Sequence, residues 1–228
     1  MNISLRALSL AIMAIALLPA CKKKCYQKVS VQFINASMHS PYLSYYLQGS
    51  KRADFVGYTL NSNSHTADLL PGEPLVIEIK DGTGNVIAGG SYTNWKPNWH
   101  YTFVMYDDYA TRKTTLLADS VSWPETGKFK VRFIHLSTEA GRVDCLMNTD
   151  TIAQDRTYYG TDSTRALGGT ITLNAGTYSF LLKNHLTGQN LFSVSGIGIQ
   201  DNRVLDVYAV GTFSDSIGTP LQFGWSAR

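Results

Sequence analysis

The sequence lacks an excess of charge of either sign once its first residues are set aside. The chain has 20 lysines and arginines against 17 aspartates and glutamates. Arg6 and the three lysines at 22–24 precede the predicted folded part, which leaves 16 basic residues beside the same 17 acidic ones, a formal charge of −1. Nucleic-acid binding needs a basic stripe. The sequence has none, so nucleic acid is excluded as an expected partner.

Cysteine is scarce, and the three cysteines of the chain have no spacing typical of a metal site. The five histidines are scattered and contain no i, i+4 pair of the helical zinc kind. We therefore expect no metal and no other cofactor. A disulfide between Cys25 and Cys145 is compatible with an oxidising compartment. Cys145 falls at a core-facing position of a predicted strand, however, which favours a buried free thiol.

The sequence also lacks the short motifs of common catalytic sites. It contains neither the Gly-x-Ser-x-Gly turn of serine hydrolases nor a Ser-x-x-Lys pair. Asp107 and Asp108 are adjacent, so a strand points them to opposite faces, whereas a paired-carboxylate hydrolase needs both beside one bond. His135 follows a predicted buried strand and is interpreted as a structural, hydrogen-bonded residue. We expect no enzyme activity.

Hydrophobic runs are short, and the one near the N-terminus is typical of a targeting segment. The apolar run at 7–18 cannot span a bilayer, which needs roughly 20 apolar residues, but it has the length of a signal-peptide core. Leu18-Pro19-Ala20-Cys21 then resembles a bacterial lipobox. The resemblance implies a signal peptide at 1–20 and acylation of Cys21, with palmitate among several chains that together anchor a protein stably. The alternative is an ordinary signal peptide and a plain Cys21 thiol.

The residues that follow the predicted cleavage site indicate a membrane-proximal tether at 21–27. Its lysines would lie beside anionic head groups, where each basic residue adds about 1 kcal/mol of attraction. Lys22 stands where the inner-membrane retention signal of many Gram-negative lipoproteins has an aspartate. We therefore expect a cell-envelope protein anchored in the outer membrane. Whether it faces the periplasm or the cell surface stays open.

The strongest organisational signal is an internal repeat. The segment at 29–37 matches the segment at 129–137 with an offset of 100 residues, as in Phe33-Ile34 and Phe133-Ile134. The offset drifts slightly further on, which a small loop insertion explains. We predict two domains of similar structure, repeat 1 at 28–122 and repeat 2 at 123–228, joined by a link at 123–127. Each is large enough for its own core.

Alternation of apolar and polar residues is the dominant period in both repeats. Val29, Val31 and Phe33 share one face of a predicted strand, while Ser30 and Gln32 take the other, as in a half-buried strand. Turn residues separate such strands about every ten residues, and the segment at 81–85 has the composition of a hairpin turn. No segment sustains a helical pattern over three turns. The sequence therefore predicts an all-β protein of two tandem antiparallel β-sandwiches.

Three segments of repeat 2 carry a resemblance to a known family. The segment at 133–144, Phe-Ile-His-Leu-Ser-Thr-Glu-Ala-Gly-Arg-Val-Asp, is similar to the opening of domain of unknown function (DUF) family 4397. The turn at 173–178 and the strand at 208–211 are similar to later parts of that family. Repeat 1 is more distant, and even repeat 2 departs from the pattern at Leu136, Thr138, Glu139 and Gly141. The resemblance implies tandem immunoglobulin-like sandwiches, secreted or lipid-anchored, and it implies no activity and no site residues.

One loop of repeat 1 is rich in aromatic residues and has no counterpart in repeat 2. It contains Tyr92, Trp95 and Trp99 and runs into His100 and Tyr101. Sugar rings stack on aromatic side chains, so the loop is a candidate contact for a glycan or a peptide. The alternative is that the tryptophans close the end of the sandwich or fill the contact between the repeats, because tryptophan is usually well buried.

Two functional hypotheses follow. The favoured one is a non-catalytic cell-envelope lipoprotein whose sandwiches interact with other envelope proteins or with a surface, held at the membrane by the lipid anchor. The alternative is a glycan-binding accessory lipoprotein that uses Tyr92, Trp95 and Trp99.

Overall fold

The computed structural model describes residues 25–119, 122–167, 169–213 and 219–228. The predicted signal peptide at 1–20 and the predicted lipidation site Cys21 lie outside these described residues. Among the residues that are described, no helix is long and apolar enough to cross a membrane.

The described residues form an all-β structure in which each repeat contributes eight strands. Those of repeat 1 are β1 (Gln27–Met38), β2 (Leu43–Leu47), β3 (Ser50–Val56), β4 (His65–Leu69), β5 (Leu75–Lys80), β6 (Val86–Tyr92), β7 (His100–Asp108) and β8 (Lys113–Asp119). Those of repeat 2 are β9 (Lys128–His135), β10 (Val143–Met147), β11 (Asp150–Arg156), β12 (Ile171–Asn174), β13 (Gly176–Asn184), β14 (Asn190–Ile199), β15 (Val204–Val210) and β16 (Gln222–Ala227). A single turn of helix, α1 (Ser163–Ala166), precedes β12.

The strands form two sandwiches with the same topology. Repeat 1 has an inner sheet of order β4-β1-β7-β8 and an outer sheet of order β3-β2-β5-β6. Repeat 2 has the corresponding inner sheet β12-β9-β15-β16 and outer sheet β11-β10-β13-β14. The predicted two-sandwich, all-β fold is therefore confirmed. Pairing is antiparallel except at the centre of each inner sheet, where β1 lies parallel to β7 and β9 lies parallel to β15.

Alternation along the strands builds a separate core in each sandwich. Val29, Val31 and Phe33 are fully buried between the two sheets of repeat 1, and Phe133 has the same position in repeat 2. Cys145 also lies in the core of repeat 2 as a free thiol, and burial raises the pKa of that thiol.

The hairpin predicted at 81–85 connects β5 to β6. The Asp81 carboxylate accepts hydrogen bonds from the backbone N–H groups of Thr83 and Asn85 at 2.9 and 3.0 Å. Gly84 has a φ of 88°, a conformation that glycine adopts without a steric penalty. These local bonds fix the turn beside the outer sheet.

The two inner sheets pack against each other, so the molecule has four layers. The alternation in β1 predicts solvent around Gln32, but the side chain of Gln32 is buried in this contact. The apolar part of the contact contains Ile34, Ala36, Val104, Tyr106, Leu117, Ile134, Leu136, Tyr208 and Val210. The central inner strands β1, β7, β9 and β15 are thus buried on both faces, because the other repeat covers the second face of each inner sheet.

Charged side chains form the other part of the contact between the repeats. Asp206 of β15 accepts two hydrogen bonds from the Arg132 guanidinium, at 2.8 and 3.0 Å, and one from Arg228 at 2.9 Å. Arg228 also forms an ion pair with Asp119 of repeat 1. Thr102 of β7 lies 3.4 Å from Asp206. Because Asp206 is fully buried, the two arginines are what make its charge tolerable there.

Candidate functional site

Two of the three predicted aromatic residues lie together at the end of β6. The Tyr92 ring packs edge-on against Phe103, with centroids 6.3 Å apart. The indole N–H of Trp95 donates to the carbonyl oxygen of Glu73 at 2.7 Å. Both rings are half-buried against the core of repeat 1, and burial raises the pKa of the Tyr92 phenol. Each ring is therefore fixed on its inner side and open on the other.

Trp99 lies apart from this pair. Its ring packs beside Tyr101, with centroids 6.4 Å apart, and the ammonium group of Lys96 lies 4.3 Å from its centroid. The backbone carbonyl of Trp99 accepts a hydrogen bond from Ser30 N at 3.1 Å. Trp99 is half-buried against the core of repeat 1, as Tyr92 and Trp95 are, but it is not among the residues that line the groove beside them.

The loop between β6 and β7 is held by its own hydrogen bonds. The Tyr101 hydroxyl accepts a bond from Lys96 N at 2.7 Å, and Asn98 N donates to the Lys28 carbonyl at 2.7 Å. Trp95 is consequently placed on a backbone that is tied to both β1 and β7. A site formed here is organised before any ligand arrives.

Tyr92 and Trp95 line a groove of about 540 Å³ between β6 and β8. The other lining residues of this β6–β8 groove are Ser91, Thr93, Asn94, Tyr101, Thr114, Thr115, Leu116 and Ala118. None of these lining residues carries a charge at neutral pH. The two strands that border the groove are the outermost strands of their sheets, so each offers backbone N–H and C=O groups that no neighbouring strand of the sheet uses.

Repeat 2 has a groove of about 340 Å³ at the corresponding place, between β14 and β16. Its aromatic side chain is Trp225, which is 41% exposed. Trp225 pairs with Val207 as Leu116 pairs with Phe103, so it occupies the position of Leu116 in the repeat. Trp225 lies beyond the segments whose repetition is evident in the sequence. The correspondence of the last strands, at 113–119 and 222–227, is the signal that identifies it.

Asp108, His39 and Thr219 form a row of a carboxylate, an imidazole and a hydroxyl between the repeats. His39 Nδ1 lies 2.7 Å from the Asp108 carboxylate, and His39 Nε2 lies 3.4 Å from the Thr219 hydroxyl. The pKa of Asp108 is lowered, first by the hydrogen bond from the backbone N–H of Ala110 and then by His39. Nucleophilic catalysis needs a hydroxyl that a substrate can reach, but Thr219 is only 5% exposed. These three side chains therefore form a contact between the repeats.

The described residues contain no group of three or more histidine, cysteine, aspartate or glutamate side chains arranged to hold a metal ion. His135 is buried at the end of β9, where its Nε2 lies 2.8 Å from the carbonyl oxygen of Gly141. Asn35, which corresponds to it in repeat 1, donates to the carbonyl oxygen of Val56 at 2.9 Å. His135 thus holds the loop before β10, and Asn35 bonds to the end of β3.

The fold and the grooves together define a protein of two tandem β-sandwiches with open surface grooves. The chain belongs to the family described as domain of unknown function DUF4397, which matches residues 29–146. The match begins in β1 and ends in β10, so it covers repeat 1 and the first strands of repeat 2. The family resemblance found in the sequence is therefore confirmed.

Solved structures similar to this chain include two bacterial proteins. One is CBMbc, a family CBM26 module of Eubacterium rectale Amy13K solved with maltoheptaose, at 12% identity and a TM-score of 0.28, covering 88% of this chain and 96% of its own. The other is a Bacteroides fragilis protein whose description names cell adhesion, at 10% identity and a TM-score of 0.25, covering 88% and 97%. Because both scores are low, neither likeness indicates a ligand here. No curated protein matches the chain.

Proposed function

We propose that the protein is a non-catalytic, lipid-anchored binding module of the cell envelope, and that the β6–β8 groove takes an extended segment of a partner protein. The observation that carries this proposal is the position of the groove between two outermost strands. An extended peptide can pair its backbone with such a strand and place alternate side chains in a neighbouring groove. Tyr92 and Trp95 supply the aromatic wall against which those side chains would pack.

The lining of the β6–β8 groove favours an uncharged segment. Hydroxyl and amide groups of Ser91, Asn94 and Thr114 are available to hydrogen-bond polar groups of the partner. Burying a charged side chain against such a lining would cost free energy because no opposite charge is present. We therefore expect partner segments rich in small polar and apolar residues.

A peptide library tests the proposal. Random linear peptides displayed on phage are selected against the detergent-solubilised full chain, and the dissociation constants of the enriched peptides are measured by fluorescence anisotropy. We expect enriched peptides to lose at least about tenfold in affinity on Trp95→Ala or Thr114→Lys, which corresponds to about 1.4 kcal/mol. Val86→Lys is the matched control, since Val86 is exposed on β6 and does not line the groove.

Two results would count against a protein partner. Peptides that bind Thr114→Lys as tightly as the parent would place their contact elsewhere. A fluorescence response to oligosaccharides that Tyr92→Ala and Trp95→Ala abolish would favour the glycan-binding alternative for this groove. Trp99→Ala serves as the aromatic control in both experiments, because Trp99 lies outside the groove lining.

A further inference from the structure

The outer sheet of repeat 1 presents a second feature, on the face that points away from the core. Tyr42 directly precedes β2, and Ser44 and Tyr46 lie within it; all three alternate with buried residues, so Ser44 and Tyr46 lie on one side of the strand about 7 Å apart. Tyr42 is 64% exposed, although it is a large side chain that could be buried elsewhere. An aromatic ring in this position needs a physical explanation.

Gly57 explains how the Tyr42 ring is held in place. A Cβ atom on Gly57 would lie 2.8 Å from Tyr42 Cε1, so the ring packs closely over the bare backbone of a buried glycine. One face of the ring is supported by Gly57, while most of the side chain remains exposed. Tyr42 is thus a platform of fixed orientation.

Polar groups with fixed orientation surround this platform. Ser44 Oγ donates to Asp54 Oδ1 at 2.6 Å, and Lys51 Nζ donates to Asp54 Oδ2 at 3.2 Å. The ammonium group of Lys80 lies 4.2 Å from the centroid of the Tyr46 ring. Serine and lysine hold the Asp54 carboxylate, and they lower its pKa in that order, so it is an ionised acceptor.

These side chains line a cleft of about 540 Å³, called here the Tyr42 cleft, which the turn at 81–84 borders on one side. Its charged residues are two lysines, Lys51 and Lys80, and two aspartates, Asp54 and Asp81. The two carboxylates would repel an anionic ligand, and the two ammonium groups would repel a cationic one. The balance of charge favours a neutral ligand that both donates and accepts hydrogen bonds.

The sheet beneath the Tyr42 cleft distinguishes it from the β6–β8 groove. Strands β2 and β5 are the two central strands of the outer sheet, and their backbone groups are used in pairing with β3, β6 and each other. A peptide cannot add a strand there. Recognition has to come from side chains, with an aromatic platform and a few placed polar groups.

We propose that the Tyr42 cleft binds a neutral oligosaccharide of pyranose sugars. A pyranose ring presents a flat C–H face to the Tyr42 ring, and its hydroxyl groups donate to Asp54 and Asp81 and accept from Lys51 and Lys80. The cleft shares no lining residue with the β6–β8 groove. This proposal is therefore independent of the proposed protein partner.

Repeat 2 supplies a natural control, because its outer sheet lacks the platform. Arg142, Asp144 and Leu146 stand where repeat 1 has Tyr42, Ser44 and Tyr46. The Arg142 guanidinium lies 2.5 Å from the Asp155 carboxylate, and His185 Nδ1 lies 2.9 Å from Asp144. This face has no aromatic ring at the position of Tyr42 or Tyr46, so we expect no sugar binding there.

Isothermal titration tests the proposal with defined hexasaccharides, namely neutral gluco-, manno- and xylo-oligomers and the acidic oligomer of galacturonate. The detergent-solubilised full chain should bind at least one neutral hexasaccharide. Tyr42→Ala should weaken that binding at least about tenfold, and Gly57→Ala and Asp54→Asn should weaken it in the same direction. Arg142→Ala and Trp95→Ala should leave it unchanged.

The outcomes separate this proposal from the other one. Binding that Tyr42→Ala leaves intact, tighter binding of galacturonate, or no binding of any neutral hexasaccharide would overturn the sugar site. Sugar binding lost on Trp95→Ala alone would move it to the β6–β8 groove. Because Tyr42 is mostly exposed, an unchanged thermal midpoint should show that its substitution leaves the fold intact.

Discussion

His135 lies at the end of β9 with its ring buried and its Nε2 beside the Gly141 carbonyl. Burial lowers the pKa of this imidazole from 6.5 to about 4, although the hydrogen bond to Gly141 acts in the opposite direction. The ring is therefore neutral at pH 7 and donates from Nε2. On unfolding, water reaches the ring and its pKa returns to the ordinary value.

This histidine predicts a pH dependence of stability. Because the folded pKa lies below the unfolded one, the contribution is fully present above about pH 6.5 and is lost as the pH falls towards 4. The loss for His135 should be on the order of 3 kcal/mol between pH 7 and pH 4. Urea unfolding at several pH values measures it.

His135→Asn is the matched variant, since Asn35 fills the same place in repeat 1. The parent should lose more free energy of unfolding on acidification than this variant does, while the carboxylates titrate equally in both. Identical pH profiles would mean that the His135 ring is hydrated in the folded protein.

Individual residues differ in how far the sequence predicts their roles. Phe33 and Phe133 alternate with polar neighbours, which places them in the two cores correctly. Trp225 has no strong local sequence pattern, and it is the packing of β14 against β16 that places it in a groove. Tyr42 gives no sequence signal either, because its support is Gly57, which is distant along the chain.

At the scale of strands, the Tyr208 ring of β15 packs directly over the backbone of Gly224 in β16. A Cβ atom on Gly224 would overlap the ring of Tyr208. The Tyr208 hydroxyl donates to the carbonyl oxygen of Thr59 in repeat 1 at 2.9 Å. The close approach of these two strands therefore positions a side chain that joins the repeats.

We predict that Gly224→Ala destabilises the protein by about 1–3 kcal/mol, as other overpacking substitutions do. The added methyl group would displace Tyr208 from the contact with Thr59. Chemical denaturation compared with Gly198→Ala provides the measurement, because no heavy atom lies within 4 Å of a Cβ added at Gly198. Equal midpoints for the two variants would show that the Tyr208 ring can move without cost.

The sequence predicts the strands as half-buried elements. It does not predict that β1 pairs in parallel with β7 and β9 with β15, because alternation does not encode the direction of pairing. Alternation reports which face of β1 meets its own core, and Val29 and Phe33 obey it. It contains no information about a second covering sheet, so it assigns Gln32 and Ile34 to a solvent-facing side. Both are buried because the inner sheet of repeat 2 covers them.

At the scale of the whole molecule, Asp206 is the buried counter-ion of two arginines at the contact between the repeats. We predict that Asp206→Asn lowers the free energy of unfolding by about 3–5 kcal/mol, because Arg132 and Arg228 would be left without their shared counter-ion. Urea denaturation of Asp54→Asn is the control, since Asp54 pairs with Lys51 at the surface and exposed pairs contribute little. A small effect of Asp206→Asn would mean that water reaches the arginines.

The proposed lipid anchor predicts how the whole molecule partitions. Cys21→Ser should move the protein from the detergent phase to the aqueous phase, because the acyl chains supply the membrane affinity. Cys25→Ser, which leaves Cys21 in place, should stay in the detergent phase. Membrane association of Cys21→Ser would remove the anchor from the proposal.

For a protein anchored in the outer membrane, as the sequence predicts, protease treatment of intact cells tests which side of that membrane the sandwiches face. Cleavage without lysis would make surface glycans and neighbouring cells the candidate partners. Protection until lysis would favour partners in the periplasm.

The offset of 100 residues predicted two similar units, and the structure has two sandwiches of one topology; the boundary between 122 and 123 stays a prediction. The packing of one unit on the other was not predictable. Arg132 and Asp206 are charged, so the sequence alone predicts that they are exposed to solvent. Their burial is explained by the ion pair between them.

The four-layer arrangement has a consequence for how the two copies could diverge after a duplication. The central inner strands β1, β7, β9 and β15 are buried on both faces, so a substitution there has to satisfy neighbours on both sides. The outer sheets serve one core each and leave a whole face unconstrained. Tyr42, Ser44 and Tyr46 could thus become Arg142, Asp144 and Leu146 in the sister copy without disturbing either sandwich. Each exterior can therefore specialise separately, whereas changes in the central strands have to be matched across the contact between the repeats.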